Sequence, residues 1–241
     1  MKRKTLMSWS SGKDSAWALY KLQQDPEIDL RGLFCTVNNE FNRVAMHAVR
    51  VELLKRQAKC LGLPLEIIEI PYPCTDEIYA EIMAQFVERA KKDNIECFAF
   101  GDLYLEDVRS YREEKLKNSG IKPIFPLWGT PTDKLSREII SSGLRAVTTC
   151  VDPKQIPKEF IGKEYNESFL KDLPEGVDPC GEKGEFHSFV FDGPMFKEPI
   201  EISLGNIVNR DNFIFVDLSE VNNHPHRGGL KHAPRRSCVR G

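Results

Sequence analysis

The chain has 241 residues, with 34 lysines and arginines against 36 aspartates and glutamates, a formal charge of −2. Hydrophobic residues make up 41% and charged residues 29%, the proportions of a globular chain long enough for one large domain or a main domain with an appendage. That balance gives no general argument for a nucleic-acid or membrane partner, no apolar run approaches membrane-spanning length, and the start MKRKTLMSWSS is too short in apolar residues for a secretory signal. The seven cysteines are odd in number and no two have CxxC spacing, which argues against a disulfide framework or zinc site and for reduced thiols in the cytoplasm. Most lie in apolar runs, where cysteine serves as a small buried hydrophobe.

In chain order, residues 4–9 read as a short buried strand, followed by a helix with Ala16, Leu19 and Tyr20 on one face. LRGLFCTV (30–37) is a second strand. Val44, Ala48, Val51, Leu54, Ala58 and Leu61 then keep a near-helical period, predicting a helix that runs to about Leu61. LPLEIIEI (63–70) is a third strand, Ile78, Ile82, Phe86 and Ala90 mark another helix, and ECFAFGD (96–102) is a fourth strand. A charged helix from about Leu105 to Lys117 and the run KPIFPLWG (122–129) complete the alternation. Continuous apolar strands alternating with helices indicate an α/β fold, a parallel sheet covered on both faces.

From about Thr130 the texture changes. DKLSREIISSGL is one more helix and RAVTTCV (145–151) one more strand; dense prolines and glycines follow, then three strand-like runs, FHSFVFDGPMF, PIEISLGNIVN and NFIFVDLSEV. The expected organisation is a nucleotide-binding domain over 1–129, a smaller C-terminal α+β substrate domain over 130–221, and an aperiodic tail over 222–241 with five basic residues and no expected order. His224, His226 and His232 in that tail read as part of it rather than as a metal site.

The chemistry is concentrated in SWSSGKDS, between the first strand and the first helix. A glycine-bearing turn at a helix start points backbone N–H groups at one spot that attracts phosphate. Ser8, Ser10, Ser11 and Ser15 surround Gly12 with hydroxyls, Lys13 adds a cation, and Asp14 could hold Mg2+ against phosphate oxygens or simply favour the helix dipole. Neither GxxxxGK[ST] nor GxGxxG is present. The turn resembles instead the SGGxDS loop of the PP-loop (N-type) ATP pyrophosphatases, which grips the pyrophosphate end of ATP for attack at the α-phosphate. Ser11 stands where the middle glycine usually stands, which predicts that residue 11 does not need a positive φ.

Two further stretches, GDLYLEDVRSYREEKLKNSGIKPIFPLWG (101–129) and DPCGEKGEFHSFVFDGPMF (178–196), extend the likeness to roughly residues 4–220. They resemble the diphthine–ammonia ligase family, which implies a HUP-type, Rossmann-like adenine-nucleotide α-hydrolase domain followed by a smaller domain of its own. It also implies ATP and Mg2+ as cofactors, adenylation of a carboxylate with release of pyrophosphate, and displacement of AMP by ammonia or an amine. The family's diphthamide-making branch carries EGGEFET, whereas this chain has Gly184, Glu185, Phe186, His187 and Ser188. That form is similar to the bacterial branch, for which a role in cobalamin salvage has been proposed, so the acceptor stays open.

Within this frame Gly101 and Asp102 end the fourth strand, where open α/β sheets place their ligand crevice. Arg109 and Glu113 sit at i, i+4 and match the family's arginine and glutamate; Arg109 would offset charge growing on phosphate, the alternative being an exposed ion pair. Glu182, Glu185 and His187 are the candidate cluster for deprotonating the incoming amine, with Glu185 and His187 on one face if the segment is already a strand. Arg43 and His47, spaced for one helical face, are candidates to contact the acceptor or form a surface pair. The expected partners are a carboxylate substrate and a nitrogen donor, with no nucleic acid or membrane and an assembly compatible with a homodimer. Two other readings remain: a tRNA-modifying PP-loop enzyme, for which Cys180 would be the reactive thiol, and an adenine-nucleotide-binding protein without turnover.

Overall fold

The computed structural model describes residues 1–38, 43–44, 49–210 and 212–221. His47 and the tail 222–241 lie outside the described residues.

Five parallel strands form the first sheet: β1 (Arg3–Ser8), β2 (Ile28–Asn38), β4 (Leu65–Ile70), β5 (Cys97–Ala99) and β6 (Lys122–Ile124). Their pairings give the order β4-β2-β1-β5-β6. The chain steps outward from β1 to β4 and then crosses back to β5, so the topological switch lies between β1 and β5. Open sheets of this kind bind ligands at such a switch, beyond the carboxyl ends of the strands. A two-residue strand β3 (Arg43–Val44) pairs antiparallel with Val37 and Asn38 at the end of β2.

Period-two alternation sorts the strand residues onto two faces. Met7, Leu33, Cys35 and Ala99 join the cluster of helices α1 (Lys13–Gln24) and α2 (Val51–Leu61). Phe34, Phe98 and Phe100 instead meet Phe86 of α3 (Asp76–Lys92) and Leu116 of α4 (Glu106–Leu116). Both faces are therefore apolar, as the continuous strand runs predicted.

The extended helix ending at Leu61 is corrected at its start. It begins at Val51, and Val44 and Arg43 belong to β3. The apolar period ran on through residues that form a strand, because alternating and helical patterns share positions over so short a stretch. Arg43 therefore does not share a helical face with His47.

The second sheet is antiparallel, in the order β8-β7-β10-β9, from β7 (Arg145–Val151), β8 (Phe186–Asp192), β9 (Ile202–Arg210) and β10 (Phe213–Glu220). Helices α5 (Thr132–Ser141) and α6 (Glu167–Asp172) accompany it. One cluster of buried side chains runs from Trp17, Leu19 and Leu54 of the first half to Val147, Phe189 and Val190 of the second. Arg50 reaches Asp217 and Arg56 reaches both Glu198 and Glu220, so α2 is also tied to the second half by charge.

Candidate active site

The turn after β1 is held from both sides. Gln57, wholly buried on α2, accepts a hydrogen bond from Trp9 Nε1 at 2.9 Å and donates through Nε2 to the Ser11 carbonyl (3.0 Å) and the Val190 carbonyl (2.6 Å). From β8, the Val190 N–H donates to the same Ser11 carbonyl at 3.0 Å, and Ser188 Oγ accepts the Lys13 N–H at 3.2 Å. The Ser188 contact meets one of the first-turn N–H groups that a helix cannot satisfy internally. Ser10 Oγ donates to Ser15 Oγ at 3.0 Å, and Ser15 Oγ donates to the Gly12 carbonyl at 3.0 Å. The serines thus brace the loop as well as surrounding its mouth.

Ser11 departs from expectation. Its φ is 72°, in the left-handed region that favours glycine, and it is fully buried. Its hydroxyl has no hydrogen-bond partner among the described residues. Position 11 needs a positive φ because its carbonyl must turn to meet both Gln57 and Val190. The serine holds that conformation at a cost in strain.

Lys13 points into the second half. Its ammonium is within 2.9 Å of Asp14, donates to the Cys180 carbonyl, and lies 5.2 and 5.4 Å from the ring centres of Phe186 and Tyr165. Burial pulls its pKa down, but Asp14 and the nearby Cys180 and Glu182 carry it above the ordinary value, so it stays charged. Both Asp14 oxygens are within 3.0 Å of that ammonium, and a cation bound to Asp14 would have to displace it. Among the described residues no three metal-ligating side chains gather. The chain's own residues, as they stand, do not fit Asp14 as a Mg2+ ligand.

At the end of β5, an added Cβ on Gly101 would lie 2.9 Å from the Ser15 nitrogen and 3.0 Å from the Asp14 carbonyl carbon. A glycine there lets the strand end touch the start of α1, which makes Gly101 a close-approach residue. Asp102 follows it and takes Arg112 in a two-point ion pair, with Nη2–Oδ1 at 3.0 Å. The Leu103 N–H donates to Glu182 at 2.8 Å, and Tyr104 OH donates to Asp178, so this loop is stitched to the second half.

Glu182 is pushed up to about 7 by burial and by the charges of Asp14 and Asp102, against the Leu103 N–H and Lys13. That places it where a general base for neutral pH should titrate. His187, half-buried on β8, is pushed down to about 4 by burial and by Lys13, so its imidazole is neutral. Glu185 precedes the strand rather than joining it. Its carboxylate is buried and accepts the Asp178 N–H (3.1 Å) and Lys183 N–H (2.9 Å), bracing the 178–184 turn. Glu185 and His187 therefore do not act from one strand face.

A cavity of about 860 Å³ lies between α3 and α4 over the sheet face that carries Phe34 and Phe98, and reaches the end of β1 at Ser8. Ser8, Ser10 and His187 line it at the loop, Phe98 and Phe100 form part of its aromatic floor, and Arg112 projects from α4. Lys13, Asp14, Glu182 and Arg109 are not among its lining residues. Arg109 pairs with Glu113 at 2.7 Å on the exposed side of α4 and lies over Trp128 at 4.7 Å. Arg43's backbone sits in β3.

Gln57 and Arg112 were not singled out by the sequence. The signal for Gln57 was a polar residue three after Leu54 and four before Leu61, on the buried stripe of α2. Cys180 is buried, donates weakly to the Thr132 carbonyl, and its thiol is pushed up to about 12 by burial, which leaves it inert.

Family models for the diphthamide synthase N-terminal domain and C-terminal domain match residues 3–123 and 131–221. A diphthine–ammonia ligase of Danio rerio is 27% identical over 229 residues, 87% of this chain and 90% of the relative. One from Homo sapiens is 25% identical over 181 residues, covering 73% of this chain and 67% of the relative. One from Schizosaccharomyces pombe is 25% identical over 185 residues, 70% of this chain but 30% of that longer protein.

Proposed function

The chain belongs to the diphthamide synthase family, and from that premise we propose that it is an ATP-dependent amide-forming ligase. The observation that carries this reading is that Ser8 and Ser10, leading into the serine–glycine loop, and a neutral imidazole from the other half line one cavity at the sheet's switch point. The aromatic floor suits the adenine and the loop suits the phosphates. A substrate carboxylate oxygen attacks the α-phosphorus, the bond to the bridging oxygen breaks, and pyrophosphate leaves. Ammonia or an amine then attacks the acyl carbon, and AMP departs with the oxygen.

The nitrogen must lose a proton during that second step. By basicity Glu182, near 7, suits that proton better at neutral pH than His187, near 4, but of the two only His187 lines the cavity. His187 is suited to polar contact with the reacting groups. Lys13 anchors the loop to the second half and adds positive potential beside it. The proposed division of labour has residues 1–129 holding the nucleotide and 130–221 supplying the acceptor-side groups. Gly184–Ser188 differs from EGGEFET at His187, which lines the cavity, so the acceptor proposed is one other than that of the diphthamide-making branch, a cobalamin-related carboxylate being the finer reading. A tRNA-thiolating reading would need a reactive thiolate, which Cys180 does not supply.

The test is to incubate the purified chain with ATP, ammonium and fractionated small carboxylates, with a diphthine-bearing protein as a separate arm. AMP and pyrophosphate formed together with an amide is the expected result. Nucleotide binding without AMP in any arm would replace the ligase by a nucleotide-binding protein.

A further inference from the structure

We propose that Arg112 is the cation that holds the α-phosphate of the nucleotide, in the role the sequence suggested for Arg109. This rests on the nucleotide-binding reading of the cavity. Both arginines are on α4, but they face differently: Arg109 lies over Phe125 and Trp128 beside Glu113, while Arg112 lines the cavity that Ser8 and Ser10 also line.

Three contacts fix its guanidinium. Its Cζ lies 4.3 Å from the centre of the Phe100 ring, on the cavity floor. Nε and Nη2 are bound to the two oxygens of Asp102. Asp102 follows Gly101, which touches the backbone of Asp14 and Ser15 at the start of α1. The arginine is therefore held by a carboxylate anchored against the loop expected to cradle phosphate. Nη1 has no hydrogen-bond partner among the described residues, so one edge of the fork remains to donate to an anion.

The placement also matches the chemistry. Attack at the α-phosphorus puts negative charge on the non-bridging oxygens, and a pre-oriented guanidinium stabilises it without reorganising. Asp102 partly neutralises Arg112, which favours directed donation over a diffuse positive field. Its effect should therefore appear as specificity for a phosphorylated nucleoside.

AMP and adenosine separate this from a structural role, because they differ only in the α-phosphate. Their affinities are to be measured by calorimetry on the full chain, for wild type, Arg112→Ala, Arg112→Lys and the double variant Asp102→Asn with Arg112→Ala. The double variant removes the carboxylate that the single change leaves unpaired. The wild type should prefer AMP, and both alanine variants should lose about tenfold or more of that preference while adenosine binding stays nearly unchanged. Arg112→Lys should restore part of it. An unchanged AMP-to-adenosine ratio in both folded alanine variants overturns the proposal, and so does a ratio restored in the double variant, which would assign the loss to the stranded Asp102 carboxylate. If Arg112→Ala does not fold, the Arg112→Lys ratio decides: a ratio equal to wild type overturns the proposal, a lowered one supports it. A wild-type chain that binds neither ligand nor ATP would instead sink the nucleotide reading itself.

Discussion

Replacing Ser11 by glycine should stabilise the protein, an unusual result for a change inside a candidate active site. Two penalties are released. A left-handed conformation costs a residue with a Cβ about 1–2 kcal/mol, and a buried hydroxyl without a partner costs about 1–3 kcal/mol. Against these stand roughly 0.5–1 kcal/mol for glycine's greater freedom in the unfolded chain, and about 0.8 kcal/mol for the buried carbon removed. The balance is a gain of about 0–4 kcal/mol, centred near 2, which for a chain of this size raises the unfolding midpoint by roughly 2–4 °C per kcal/mol. Ser11→Ala separates the two terms, since it removes the hydroxyl and keeps the strain. The measurement is thermal and urea unfolding without nucleotide, with an unchanged urea slope. If Ser11→Gly unfolds no later than the wild type, the strain is compensated and the reasoning fails. The same variant should bind ATP less tightly if the buried hydroxyl is kept for a phosphate oxygen, because strain retained at a loop of this kind is commonly tied to its ligand.

Lys13→Met should destabilise the fold by about 3 kcal/mol or more, since it strands Asp14 beside the second half, and should abolish AMP formation; a variant that melts and turns over like the wild type would remove Lys13 from both roles. The half-buried Glu182 and His187 should leave opposite marks on the pH dependence of stability. Glu182 keeps a proton between 4.5 and about 7 that the unfolded chain has lost, so its contribution falls as pH rises through that window, and the gap between Glu182→Gln and wild-type melting temperatures should grow in the variant's favour. His187 refuses a proton between 6.5 and about 4 that the unfolded chain accepts, so His187→Asn should gain on the wild type as pH falls; a flat difference in either case refutes the burial argument.

What the sequence disclosed was mostly local. Alternating strands and helices, the Ser–Gly turn and its place at the start of α1 follow from patterns within a few residues, and the structure has them. Side-chain direction did not follow, because it depends on distant partners. Arg109 and Glu113 looked like a functional pair because i, i+4 spacing guarantees proximity on a helix. Arg112 has its partner in the loop before the helix, and nothing in spacing alone ranks one arginine over the other. Lys13 gave the expected charge at the expected turn, yet its ammonium reaches the Cys180 carbonyl, 167 positions along the chain. The backbone at Ser11 was misjudged for the same reason: its φ is set by where Gln57 and Val190 receive its carbonyl, not by the turn's composition.

Those long-range contacts share one feature. The loop's shape is specified as much by the second half as by the strand and helix that flank it. Ser188 holds the Lys13 N–H, Val190 and Gln57 hold the Ser11 carbonyl, and Cys180 with two aromatic rings holds the Lys13 ammonium. Within residues 186–190, the Ser188 hydroxyl and the Val190 backbone hold the loop while His187 lines the cavity. A strand that positions both the serine–glycine loop and the His187 imidazole couples the two by geometry, since any shift that moves one moves the other. In the proposed reaction a carboxylate must meet phosphorus and then a nitrogen must meet the same carboxyl carbon, and such a coupling would keep the two centres in register without a separate device.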